Sequence, residues 1–114
     1  MTKVDVRRHT VSILGTEVTC PFPVAKAWWD PDRQRFIVLM DYYANPEIKR
    51  FQNLVAYDRS GSIIWRAELP DGTDADSYTD AEVGNDDISA FAFSGTRCHI
   101  DPKTGRIRTQ RIVK

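Results

Sequence analysis

Cysteine is scarce. Cys20 and Cys98 are the two in 114 residues, too few and too far apart for a disulfide framework, and neither stands in a CxxC pair. Both read as small buried side chains in a reducing compartment. Net charge is missing as well: sixteen Lys and Arg face sixteen Asp and Glu. The total therefore gives no reason to expect a nucleic acid or a membrane as partner. No run approaches the roughly 18–20 apolar residues that span a bilayer. The opening MTKVDVRRHTVSIL has no long apolar block and no small-residue cleavage site, so it reads as lacking a signal peptide and as cytoplasmic. Helical periodicity is scarce too; the best candidate, NPEIKRFQN over 45–53, is short and suits a loop equally well. There is no GxSxG, HExxH, P-loop or GxGxxG. His9 and His99 are the two histidines, and on a strand Cys98 and His99 face opposite ways, so they form no nucleophile–base pair. The expectation is a protein that is not an enzyme, with no cofactor, no metal site and no catalytic residues.

What is present is strand. The length suits a single domain over 1–114, and a hydrophobic content of 41% is enough for a core. In SIIWRAEL, Ile63, Trp65, Ala67 and Leu69 fall on one face and Ile64, Arg66 and Glu68 on the other. RFIVLMDYY, 35–43, is apolar on both faces, as an inner strand would be. VAKAWW, 24–29, leads into it through DPDRQ, a Pro-containing turn. ISAFAFS, TRCHID and RIRTQRIV continue the style, separated by SG and DPKTG. Asp58-Arg-Ser-Gly61 and Asp101-Pro-Lys-Thr-Gly105 are similar turns between strand pairs. The chain then reads as all-β, with two antiparallel four-stranded units at about 24–69 and 76–113. An N-terminal hairpin near 3–20 turns at Gly15. Units of roughly 40–45 residues are the size of a propeller blade, the alternative being a β-sandwich of about seven or eight strands. Two blades cannot close a ring, so a flank is left for a partner or a cover.

NLVAYDRSGSIIWRAELP, 53–70, resembles the Ala-x-Asp-x-x-Gly-x-x-x-Trp signature of quinoprotein-like propeller blades. Together with SGTRCHIDPKTGRIRTQRIVK in so short a chain, it resembles half-propeller immunity proteins of bacterial contact-dependent growth inhibition systems. The residues carrying the likeness are Asn53, Ala56, Asp58, Gly61, Trp65, Asp101, Pro102, Gly105 and the basic terminal strand. The resemblance implies a half β-propeller. It also implies a cytosolic protein that binds and neutralises the C-terminal domain of a large exported toxin, often a nuclease. These residues set turns and fill a core, so the likeness names no toxin-contacting residue. A two-blade chain has no channel for a quinone.

Contact residues must therefore be read from the chain itself. DGTDADSYTDAEVGNDD, 71–87, holds Asp71, Asp74, Asp76, Asp80, Glu82, Asp86 and Asp87 with no Lys or Arg. Arg97, Lys103, Arg106, Arg108, Arg111 and Lys114 follow against the single acid Asp101. One reading is a solvated loop beside an edge strand protected by cations. The other is an acidic surface that imitates phosphate at the basic active site of a nuclease toxin. A calcium loop fits poorly, because the spacing matches no EF-hand. The expected contacts are these acids, with Tyr78 among them and whichever of Trp28 and Trp29 is exposed, Trp28 being chosen, as anchor. Tyr42 and Tyr43 are plausible contacts or ordinary packing. Reversing Asp74, Asp76 and Asp80 together to Lys is then expected to slow association and leave folding intact. Free, the protein is expected to be a monomer or weak homodimer. Rival readings are a small-molecule or glycan-binding module, a small hydrolase, and a self-pairing assembly subunit.

Overall fold

The structure, a computed structural model, describes residues 2–113. It is all-β and antiparallel. The strands are β1 (Thr2–Lys3), β2 (Asp5–Arg7), β3 (Thr10–Ile13), β4 (Thr16–Thr19), β5 (Val24–Asp30), β6 (Arg35–Met40), β7 (Leu54–Asp58), β8 (Ile63–Arg66), β9 (Tyr78–Val83), β10 (Ile88–Ala92), β11 (Thr96–Ile100) and β12 (Ile107–Ile112). They form three sheets, ordered β2-β3-β4, β1-β5-β6-β7-β8 and β12-β11-β10-β9. No helix among the described residues is long and apolar enough to cross a membrane. The 45–53 segment, the best helix candidate, is a loop with one turn at 46–47 and a bridge from Arg50 to Asp76.

The middle sheet is covered on both faces. Trp28, Ile37, Leu39, Leu54, Ala56 and Trp65 pack against Tyr78, Ala81, Ile88, Ala90, Cys98 and Ile100 of the C-terminal sheet. From the other face, Ala27, Phe36, Val38, Met40, Val55 and Tyr57 meet Val11 and Val18 of the N-terminal sheet. This is why β6 reads apolar at every position: its Phe36–Met40 run alternates between two cores. The adjacent tryptophans split the same way. Trp28 joins the first core, while Trp29 packs edge-on to Phe36, ring centroids 4.8 Å apart, beside the second.

The meanders β5–β8 and β9–β12 fall within the two expected units. Two local expectations change. The N-terminal hairpin is a three-stranded meander. Arg8, at φ 54°, adds a turn before the one at Leu14 and Gly15. Ile63 does not share the face of Trp65. Ala56 pairs with Trp65 but Tyr57 pairs with Ile63, and this bulge of one residue turns Ile63 to the opposite face.

The middle and C-terminal sheets are pinned where β8 meets the Asp101–Gly105 turn. The Trp65 indole N–H donates to Pro102 O at 3.0 Å. Glu68 N–H donates to Gly105 O at 2.9 Å. Gly105, at φ +73°, lies against the Trp65 ring so closely that a Cβ there would sit 2.7 Å from two ring carbons. The Trp65 strand thus packs onto the Asp101–Gly105 turn.

Candidate functional site

Loops after β6 and around the start of β9 build a cleft of about 290 Å³, lined by Tyr42, Tyr43, Pro46, Ile48, Phe51, Ala75 and Phe93 among others. Three segments form it, and buried polar groups fix them together. Asn53 is fully buried; its Nδ2 donates to Met40 O at 2.8 Å and to Tyr78 O at 2.7 Å, and its Oδ1 accepts from Tyr78 N–H at 2.8 Å. Asp76 N–H donates to Lys49 O and Phe51 N–H to Asp76 O, at 2.8 and 3.0 Å. The Asp76 carboxylate accepts from Ser77 N–H, Ser94 N–H and Ser94 Oγ. Arg50 clamps Thr73 O at 2.6 Å and Thr73 Oγ1 at 2.8 Å. Phe93 N–H donates to Ser77 O. The rim is held by its backbone, so its aromatic side chains need not be buried to be placed.

Those side chains face solvent. Tyr43 is 70% exposed, Phe93 65% and Ile48 47%. The Tyr42 ring lies 4.2 Å from that of Tyr43 and 6.1 Å from that of Phe93. Ile48 and Phe51 also line a second groove with Phe22, Met40, Tyr57 and Ile63, so the apolar surface runs on along the flank. The charged residues of the lining are exposed Lys49 and buried Asp76; exposed Glu47 and Asp74 are sequence neighbours of lining residues. Asp71 borders an adjoining groove with Arg50 and Glu68. The Tyr43 and Phe93 rings are solvent-facing surface rather than core.

The acidic stretch is not one surface. Asp71, Asp74, Glu82 and Asp86 are exposed. Asp76, at 4% exposure, is buried and spends its oxygens on Ser77 and Ser94. Tyr78 is fully buried and its hydroxyl donates to Glu68 O. Trp28 is core, at 6%. Trp28 and Tyr78 lie in strands whose inward positions fill the core, while Asp76, before β9, lines the cleft with its carboxylate already bonded. Asp80 and Asp87 are occupied in another way. Lys26 Nζ lies 2.7 Å from Asp80. His99 Nδ1 lies 2.7 Å and Arg108 3.6 Å from Asp87. Residues expected as a loop are partly strand β9, and the basic tail neutralises part of their charge. The expectation that Asp74, Asp76 and Asp80 could be reversed together without loss of folding is therefore wrong at Asp76.

Sequence reasoning picked out Tyr42 and Tyr43 but missed Phe93 and Ile48. A signal for Phe93 existed. In ISAFAFS, alternation puts Ile88, Ala90 and Ala92 inside and leaves the rings of Phe91 and Phe93 outside. Ile48 gave none, since it lies in a turn segment without periodicity.

In the cleft, the neighbouring Tyr43 hydroxyl raises that of Tyr42 above its ordinary value. Burial pushes the Tyr78 hydroxyl far above its ordinary value, and pushes that of Tyr57 up to about 12. The Cys20 and Cys98 thiols are also raised by burial, which keeps them unreactive. The hydrogen bond from Lys26 holds the Asp80 carboxyl below the usual value. Among the described residues, no three His, Cys, Asp or Glu side chains come together as a metal site. What the cleft offers is aromatic contact area and the hydroxyl tips of Tyr42 and Tyr43.

Comparison with known proteins adds one family. The model of a domain of unknown function, DUF7957, matches residues 1–112. No curated protein and no solved structure gives a significant match.

Proposed function

We propose that this chain, which belongs to the DUF7957 family, is a protein-binding immunity protein. It neutralises a cognate bacterial toxin domain by covering it, and docks through the aromatic cleft. The observation that carries the reading is the exposure of Tyr43 and Phe93, at 70% and 65%, on a rim whose backbone is cross-linked by Asn53, Asp76 and Arg50. Rings held ready in place lose little entropy on binding and supply large area, which is how interface anchors work. The cleft itself is mainly apolar and aromatic, with Lys49 as its exposed charge, so the rings rather than net charge carry the contact.

The finer fold reading belongs here as well. We take the β5–β8 and β9–β12 meanders as propeller-like blades packed face to face. The N-terminal sheet takes the place of a further blade on one flank. The likeness of the Trp65 and Gly105 stretches to blade signatures supports this, as does the packing of Trp65 on the Pro102–Gly105 turn. The protein works in the cytoplasm, where the toxin domain would be met.

Co-expression tests the function. The C-terminal domain of a large exported protein encoded beside this chain should arrest growth alone, and growth should return when this chain is supplied. The two should then co-purify. Continued arrest, with no complex on size-exclusion chromatography, would remove the immunity reading. Saturable binding of oligosaccharides at the cleft without a protein partner would favour a glycan-binding module instead.

A further inference from the structure

The outer face of the C-terminal sheet shares no residue with the cleft and carries a different chemistry. Arg97, His99, Thr109, Gln110 and Arg111 line a shallow groove of about 330 Å³ on β11 and β12. Arg97 and Arg111 are direct partners in the ladder, and His99 pairs with Thr109 one step along the same face. Directly opposed like charges in a sheet repel. Neither arginine has an ion pair or a hydrogen bond to soften the repulsion among the described residues. The basic side chain that does find carboxylates, Arg108, reaches Asp87 and Asp101 instead. The Arg97 guanidinium is held over the Phe91 ring, 4.7 Å from its centroid, and its Nε is shut off from solvent without an acceptor. The His99 ring is oriented by Nδ1 on Asp87 at 2.7 Å. Besides Asp87, which holds His99, the acids of this face, Asp80 and Glu82, stand on β9, two strands away from β11, and Asp80 is taken by Lys26.

We propose that this groove binds a phosphate group, carried on a small phosphorylated ligand and held by Arg97, Arg111 and His99. Two opposed guanidinium groups present paired N–H donors to a tetrahedral dianion, and such a dianion would turn their repulsion into attraction. A single carboxylate would leave one positive charge unmatched. The Thr109 hydroxyl beside them can donate to a further oxygen.

Backbone amide NMR of the full chain tests this, with inorganic phosphate, a nucleoside monophosphate and acetate titrated at constant ionic strength. Phosphate should give saturable shifts confined to Arg97, His99, Thr109 and Arg111, and acetate should not. Tighter binding of the nucleoside monophosphate would add a base contact; equal binding would make the phosphate the whole recognition element. Either result carries the proposal. Arg111→Gln should weaken phosphate binding about tenfold or more. It should also raise the melting temperature of the ligand-free protein by about 1–4 °C, because a repulsion is removed. Loss of stability in that variant would mark Arg111 as structural. That outcome, or linear shifts equal for phosphate and acetate, would overturn the site.

Discussion

Gly105→Ala is the sharpest test of how the two larger sheets are joined. Gly105 has φ +73°, and a Cβ placed on it meets Trp65 Cδ2 and Cε3 at 2.7 Å and Cγ at 3.0 Å. Left-handed backbone costs a non-glycine residue about 1–2 kcal/mol. The overlap adds about 1–3 kcal/mol, because the ring cannot swing away without giving up its hydrogen bond to Pro102 O. The sum, about 2–5 kcal/mol, is a large part of the stability of a domain this size. It should lower the melting temperature by about 10 °C or more and the urea midpoint in proportion, at unchanged slope. Gly15→Ala is the control, since its φ is +81° but nothing lies within 4 Å of the added Cβ. It should lose only the backbone share. In Trp65→Phe the fused ring, and Cε3 with it, is gone. Adding Gly105→Ala to that background should therefore cost less than in the parent, by at least ~0.5 kcal/mol. A Gly105→Ala protein no less stable than Gly15→Ala, or strict additivity with Trp65→Phe, would show that this contact does not hold the sheets.

Other outcomes follow from buried polar groups and ion pairs. Asn53→Ala should cost about 2–4 kcal/mol in chemical denaturation, since it strands Met40 O, Tyr78 O and Tyr78 N–H in the core. Asp76→Lys should unfold or strongly destabilise the protein by circular dichroism, while Asp74→Lys at an exposed position leaves the melting temperature within a degree or two. Asp58 and Asp80 both have carboxyls held below the usual value: Asp58 first by its hydrogen bond with Ser60, Asp80 first by Lys26. A depressed folded-state pKa stabilises above the unfolded value and is lost as pH falls through the folded one. Carboxyl-detected NMR should accordingly find both midpoints low, and Lys26→Ala should move that of Asp80 upward while Asp58 stays. Cys20 and Cys98 should react with a thiol reagent slowly at pH 8 and at once in denaturant, because burial both hides the sulfur and raises its pKa.

The strands were legible because their residues state the burial of each face. Phe36–Met40 is apolar throughout because it lies between two cores, and Ile88–Ala92 alternates because one face is wet. The turns were legible at Gly61 and Gly105, whose positive φ suits glycine. Less could be read where a single residue shifts the phase. The bulge at Ile64 moved Ile63 to the other face, and Arg8 in left-handed backbone made three strands out of an expected hairpin. Charge misled most. Seven acids without a cation in 71–87 look like one surface, yet Asp76 is buried and Asp80 and Asp87 find cations from distant strands. No local pattern encodes Lys26 meeting Asp80 across 54 positions. The cleft itself draws on three separated segments, so its residues showed no common motif.

The claim on which the account turns is that the exposed aromatic rim is the docking surface. Its most direct test is the calorimetric affinity of the folded Tyr43→Ser/Phe93→Ser protein for the adjacently encoded toxin domain, against the parent. Two interface anchors at about 2 kcal/mol or more each predict a loss of affinity of several hundredfold or greater, at an unchanged melting temperature. Affinity equal to that of the parent would contradict the account and place the interface elsewhere on the molecule.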